Sequence, residues 1–269
     1  MKSIQLIGVP TDRNSSYLKG AANGPAKIRE LLGSDMMNKS SESGFELGTD
    51  IAFDDAGDLK CGNEKEFEII EDSVTNALQN GHIPMMLGGD HSITYPILKA
   101  IAAHHGAVDI LHIDAHPDLY EDYNGNRFSH ASPCARIMED CLARRLVQVG
   151  IRTLNAHQRS QARRFGVEII SMREFDSASP PQLDGPLYIS IDLDGLDPAY
   201  APGVSHHEPG GLSVRQLIDL LWSLDVPIVG ADIVEYNPLR DVHDMTAAIA
   251  VKLIKELAAC AAGMQKTAT

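Results

Sequence analysis

Three apolar runs in this chain end abruptly in charge. Residues 83–87, 108–113 and 187–191 read as buried strands. They lead into Gly88-Gly89-Asp90-His91-Ser92, Asp114-Ala115-His116-Pro117-Asp118 and Asp192-Leu193-Asp194-Gly195-Leu196-Asp197-Pro198. Carboxylates and imidazoles at the ends of core strands are costly to bury unless something binds them. Two divalent cations would do so, which makes a binuclear metal site the first expectation.

The rest of the chain alternates in the same way. A first strand at 3–9 precedes a helix opened by Gly24-Pro25, with Pro well placed at a helix start. The stretch 34–44 is rich in Ser and Asn and reads as a surface loop. Residues 64–80 carry Phe67, Ile70, Val74, Ala77 and Leu78 at helical spacing, and Gly81 ends the pattern. Further helices are expected at 93–104, 131–142, 156–165 and 245–262, and strands at 145–151, 167–170 and 226–234. Another helix is expected after a capping Ser213, running through 224. Strands that alternate with helices and are apolar on both faces imply a parallel sheet covered on both sides. The expected fold class is therefore α/β, one domain over residues 1–269, with the candidate ligands at strand C-terminal ends.

A net charge of −14 opposes binding to a nucleic-acid backbone and suits bound cations or a cationic substrate. The four cysteines are widely spaced without a C-x-x-C pair, which fits reduced thiols. No apolar run is long enough to span a membrane. A cytoplasmic location is the expectation.

Asp114, His116 and Asp118 recur with period two, so an extended segment would point all three the same way, and Asp192 and Asp194 repeat the pattern. With His91 they form a set of four carboxylates and two imidazoles. Two divalent cations would balance the four carboxylates, as a stable buried cluster requires. Oxygen-rich coordination with one histidine per ion suits Mn²⁺, with Fe²⁺, Co²⁺ or Ni²⁺ able to occupy the same donors. Taken singly, His82, His104, His105, His157, His206 and His207 read as surface or loop residues, Glu235 as an ordinary strand-end carboxylate, and His130 as a loop histidine.

In these residues the sequence resembles the ureohydrolase (arginase/agmatinase) family, from Ile4 to about Ala259. The resemblance implies a central parallel sheet of about eight strands with helices on both faces. It assigns His91, Asp114, Asp118 and Asp192 to one Mn²⁺, and Asp114, His116, Asp192 and Asp194 to a second. It makes His130 a proton shuttle and Glu235 the carboxylate that binds a substrate guanidinium, with catalytic work falling to His130, Glu235 and Asp118. The implied reaction is attack of a metal-bridging hydroxide on the guanidinium carbon, with urea and an amine as products. Relatives assemble as homotrimers or homohexamers.

Substrate choice within the family depends on the far end of the molecule. Asn124, Asn126, Arg127, Ser129 and Ser132 could supply donors for the α-carboxylate of arginine. The run Gly125-Asn126-Arg127-Phe128-Ser129-His130-Ala131-Ser132 resembles the plant-type arginases, as do Val204-Ser205-His206-His207-Glu208-Pro209 and Asn237-Pro238-Leu239-Arg240-Asp241. Arginine is thus the expected substrate, with agmatine as the runner-up. A non-catalytic metal-binding protein on this fold and a metallophosphoesterase are the readings of other classes; a pocket carboxylate such as Glu235 opposes the latter. The transit segment of the plant-type enzymes is not evident here, which also favours the cytoplasmic expectation.

Overall fold

Each central strand divides its side chains between two apolar layers. On β4 (Val108–Ile113), Leu111 and Ile113 enter one core while Val108 and Ile110 enter the other. On β7 (Leu187–Asp192), Leu187, Ile189 and Ile191 face the first core and Tyr188 the second. Strands buried on both faces need a helical layer on each side. The first core is closed by α1 (Gly24–Leu32), α6 (Val214–Ser223) and α7 (Met245–Ala262), and the second by α2 (Glu66–Gln79), α3 (Thr94–His105) and α4 (Pro133–Glu139).

The computed structural model describes residues 3–264. The remaining elements are β1 (Ser3–Val9), β2 (Ala52–Asp58), β3 (His82–Gly88), β5 (Ala143–Ile151), α5 (Ala156–Phe165), β6 (Glu168–Ser171) and β8 (Ile228–Val234). They form one α/β domain around an eight-stranded sheet in the order β2-β1-β3-β8-β7-β4-β5-β6, in which every pairing is parallel. No helix among the described residues is long and apolar enough to cross a membrane.

Local chemistry accounts for the element ends. Pro25 and Pro133 sit in the first turns of α1 and α4. Ser213 and Gln216 form a reciprocal capping box on α6. The expected helix at 131–142 is shorter than its pattern suggests. It stops at Glu139, and Cys141 adopts a left-handed φ of 55° before β5 begins. The strand β2 has no counterpart among the expected elements. Its sequence Ala-Phe-Asp-Asp-Ala-Gly-Asp carries no apolar alternation, because it is an edge strand paired only with β1 and largely exposed. Arg29 of α1 gathers its charge through Asp55 and Asp58.

Close backbone approach fixes the end of β3. The Gly89 N–H donates to Val9 O at 3.0 Å and the Asp90 N–H to Thr11 O at 2.8 Å. A Cβ on Gly89 would stand 1.8 Å from the Thr11 carbonyl oxygen, a backbone atom that can yield only if the β1 exit moves. Gly89→Ala should therefore cost about 3 kcal/mol by chemical denaturation. Gly33→Ala, where a Cβ would meet only ordinary contacts from 3.5 Å outward, should stay within about 0.5 kcal/mol of the parent.

Candidate metal centre

Strand order brings the charged segments together. β3, β8, β7 and β4 are consecutive neighbours, and their registers align Leu87 with Ile233, Ile233 with Ile191, and Ile191 with Ile113. One residue further along, Asp192 and Asp114 end the same row. His91, Glu235, Asp194 and His116 follow at the sheet's C-terminal edge. Four separate parts of the sequence thus reach one place because four parallel strands stop at one level.

His91 lies at the middle of the first group. Its Nδ1 is 3.3 Å from Asp114 Oδ2, 3.2 Å from Asp118 Oδ2 and 3.2 Å from Asp192 Oδ2. Its Nε2 is 2.9 Å from Ser190 Oγ, and the Ser190 hydroxyl donates to Asp232 Oδ1 at 2.7 Å. A hydroxyl has one hydrogen. Ser190 therefore accepts from the His91 Nε2–H, which leaves the Nδ1 lone pair facing three carboxylates. An acceptor nitrogen among acceptor oxygens calls for positive charge between them. Neither His91 Nδ1 nor Asp114 Oδ2 has a hydrogen bond, although both are buried. This donor set fits a cation.

The titration of the cluster points the same way. Burial resists charge on His91, yet Asp114, Asp118 and Asp192 hold its pKa well above the usual imidazole range. Burial, together with the charges of Asp194 and Asp114, pushes Asp192 well above the ordinary carboxylate value. Burial likewise moves Asp194 up to about 6 despite the opposing pull of His116. Too much negative charge has been gathered here to ionise fully without a counter-charge.

A second group adjoins the first. His116 Nδ1 is 3.1 Å from Asp194 Oδ2 and 3.4 Å from Asp114 Oδ1, and its Nε2 is 4.0 Å from Glu208 Oε1. The chain holds these carboxylates with its own amides: the His116 N–H donates to Asp114 Oδ1 at 2.6 Å and the Asp194 N–H to Asp192 Oδ1 at 2.8 Å. His91, His112, Asp114 and Asp118 form one set with potential ligand atoms within 4.8 Å of one another, and Asp114, His116 and Asp194 form another.

Glu235 and His130 stand beside the cluster. Glu235 Oε1 accepts from the His91 N–H at 3.0 Å and lies 2.8 Å from His130 Nδ1. His130 Nε2 accepts from the Ser16 N–H at 3.1 Å, so the proton of a neutral ring sits on Nδ1. Burial opposes charge on His130, but Glu235 outweighs it and raises the pKa to about 9. Two ends of this arrangement are strained. Glu235 has a φ of 64° and Asp118 a φ of 51°, left-handed conformations that non-glycine residues adopt at a cost.

A cavity opens over these groups, lined by Asp118, Asp192, Asp194, His116, His130 and Glu235, with Tyr120, Tyr123, Thr153, Gln158, Ser16, His206 and Glu208 around its wall. Asn124, Asn126, Arg127, Ser129 and Ser132 are not in that lining. The loop uses them on itself. Asn126 donates to Asn14 Oδ1 and caps the Phe128 N–H, Arg127 pairs with Glu139, and Ser129 Oγ accepts from the Ala131 N–H. Asn124 lies in an exposed turn with a φ of 55°, and Ser132 Oγ is buried without a partner. His206 departs from the expectation of an uninvolved loop histidine. Its ring lies 5.4 Å from that of His130 and 5.9 Å from that of His116. His104, His105, His157 and His207 are exposed as expected.

Sequence reasoning missed the groups behind the cluster. Asp232 accepts from the hydroxyls of Ser190, Tyr188 and Thr94, at 2.7, 2.7 and 2.8 Å. Ser190 and His112 each lie two residues before a strand-end aspartate. The period-two rule that joined Asp114 to His116 could have found them.

Residues 2–260 match the model of the Arginase family, and the chain belongs to that family. Arginase 1, mitochondrial, of Arabidopsis thaliana is 48% identical over 276 residues, covering 96% of this chain and 80% of that one. An agmatinase of Bacillus anthracis is 34% identical, covering 94% and 90%. The solved arginase from Medicago truncatula superposes with a TM-score of 0.90 at 43% identity, covering 97% of this chain and 87% of that one. These relatives correct one expectation. The arginases of Arabidopsis thaliana and Medicago truncatula are named mitochondrial, and a second Arabidopsis relative chloroplastic/mitochondrial, so the comparisons overturn the cytoplasmic expectation.

Asp232→Ala would leave three buried hydroxyls without their acceptor. It should lower stability by about 3 kcal/mol in urea denaturation, with Asp232→Asn recovering part of the loss.

Proposed function

We propose that this arginase-family hydrolase of guanidino compounds converts L-arginine and water to L-ornithine and urea. The observation that carries the reading is the placement of Glu235 and His130, 2.8 Å apart, in one cavity with the cluster of acidic and imidazole ligands. His91, Asp114, Asp118 and Asp192 would hold one Mn²⁺; Asp114, His116, Asp192 and Asp194 would hold the other. When bound, such ions supply the Lewis acidity that lowers the pKa of a water.

The chain's own residues do the rest. Glu235 places both of its hydrogen bonds on Oε1, and Oε2 takes part in neither. A planar guanidinium can then bind Oε2 by charge-assisted hydrogen bonds. The pKa of Glu235 is held below the usual carboxylate range, because His130 and the His91 N–H outweigh the effect of burial. The charge needed to bind a cation is thereby kept. His130 holds a proton on Nδ1, and a second proton exchanged at Nε2, in place of the bond from Ser16, would serve the role an amine leaving group requires. Ser16 orients this ring, with its hydroxyl 2.8 Å from Nε2.

For the substrate tail, support for arginine comes from the greater similarity to plant arginases than to agmatinases. One observation favours agmatine instead: among the described residues, no lysine or arginine lines the cavity to meet an α-carboxylate. Mn²⁺-loaded protein should release urea from arginine with a kcat/KM at least about tenfold above that for agmatine, a difference of about 1.4 kcal/mol. The reverse order would replace arginase by agmatinase, and no urea from either would overturn the reaction class.

His130→Ala should reduce kcat about 10²–10⁴-fold while retaining two Mn²⁺ per chain by atomic absorption. Chelation of divalent ions should lower the melting temperature. Mn²⁺ at about 1,000 times its Kd should restore roughly 4 kcal/mol for each site absent from the unfolded chain.

A further inference from the structure

One carboxylate in the cavity wall has no part in the cluster. Asp118, Asp192 and Asp194 belong to the proposed ligand set, and Glu235 pairs with His130. Glu208 is the remaining acid of the lining. Its side chain is 42% exposed, and among the described residues its carboxylate accepts no hydrogen bond. We infer that Glu208 determines specificity by binding the ammonium group at the far end of a guanidino substrate. The inference rests on the guanidino-hydrolase reading of this cavity, but not on the choice of tail. In arginine and in agmatine the same carbon chain separates the ammonium from the guanidinium.

The ring of His116 shows where Glu208 stands. The two nitrogens of an imidazole point to opposite sides of the ring. Nδ1 faces Asp194 Oδ2 at 3.1 Å, whereas Nε2 faces Glu208 Oε1 at 4.0 Å. Glu208 therefore lies on the side of His116 turned away from Asp194, and the gap is too long for a hydrogen bond. From His116 the rings of His206 and His130 lead on toward Glu235, with centroids 5.9 Å and then 5.4 Å apart. The two glutamates thus occupy separate places in one cavity, with imidazole rings between them. That arrangement suits a molecule with a cation at each end.

The main chain at this position is fixed. Arg152 Nε donates to the Glu208 carbonyl oxygen at 2.8 Å, and Arg152 Nη2 donates to Asp194 O at 2.7 Å and to Leu196 O at 3.2 Å. One guanidinium thereby ties residue 208 to the segment that carries Asp194. Just beyond, the Gly210 and Gly211 N–H groups donate to Asp197 Oδ2 at 2.6 and 3.2 Å. A Cβ on Gly211 would stand 2.7 Å from the Asp197 nitrogen, so this turn is closely built. A carboxylate without a partner on an anchored backbone can receive charge-assisted hydrogen bonds from an ammonium at little cost in order. Among the described residues no lysine or arginine lines the cavity to compete for it.

The test compares Mn²⁺-loaded parent with Glu208→Gln, which keeps the shape of the side chain and removes its charge. For arginine and for agmatine kcat/KM should fall about tenfold, chiefly through KM, the low end for a charged hydrogen bond that is partly screened. The loss should shrink as ionic strength rises. Guanidinobutyrate carries a carboxylate in place of the ammonium, so its inhibition constant should fall in Glu208→Gln. Glu208→Asp should recover part of the activity, and both variants should keep the Mn²⁺ content of the parent by atomic absorption. A change below about twofold with both arginine and agmatine would overturn the inference. So would weaker binding of all three compounds alike, which marks pocket shape, or loss of Mn²⁺, which marks support of His116. Absence of urea from the parent with either substrate would overturn the guanidino-hydrolase reading and this inference with it. An effect missing only in the variants would leave that reading standing and remove Glu208 from it.

Discussion

Asp114 is approached by three imidazoles. His112 comes within 2.9 Å of it, His91 within 3.3 Å and His116 within 3.4 Å, and the side chain is fully buried. Burial pushes its pKa up, but these histidines, His112 foremost, hold it well below the ordinary carboxylate range. Asp192, on the other side of His91, is driven the opposite way by burial and by its carboxylate neighbours. Two aspartates in one cluster that ionise so differently cannot both be charged by protein groups alone. The divalent pair proposed above would resolve the conflict, and the neighbouring side chains already hold the cluster in place. Asp232 orients Ser190, Ser190 orients His91, and backbone amides orient Asp114 and Asp192.

The sheet makes this possible by bringing strands from four parts of the sequence together and ending them at one level. β3 and β8 are far apart in the chain, yet the Glu235 N–H donates to Gly89 O at 2.8 Å just past the last paired residues. That link helps hold Glu235 in its left-handed conformation, and Gly89 is without a Cβ because the Thr11 carbonyl occupies the space. Rigid strand ends carry the charged groups, so the strain is borne by elements with two apolar cores behind them.

Much of this was legible in the sequence, and the reason is periodicity. Apolar runs such as 108–113 are long enough to name a strand, and alternation past their ends places Asp114, His116 and Asp118 on one side. The acidic edge strand β2 escaped notice because an edge strand needs no apolar alternation. Asp232 and Ser190 escaped because a lone polar residue in a strand carries no sign of its partners: Tyr188, Thr94 and His91 meet them only across neighbouring strands and α3. The loop from Asn124 to Ser132 was polar enough to look like a binding surface. Its donors instead stabilise the loop, and through Asn14 they help hold His130, whose N–H donates to Asn14 O at 3.2 Å.

The two halves of the cavity are built by different means. Its floor is made of strand ends locked in register, which suits a head group that must be held still while a bond breaks. Its wall, with Tyr120, Tyr123, Thr153, His206 and Glu208, comes from three separate connections. Connections can change without disturbing the sheet, whereas a change at Asp114 or Asp192 alters the charge of the whole cluster. The chemistry at the guanidinium therefore belongs to the fold's rigid edge, and the choice of tail to its loops. A family with this division can retain one reaction while its members differ in what lies beyond the guanidinium.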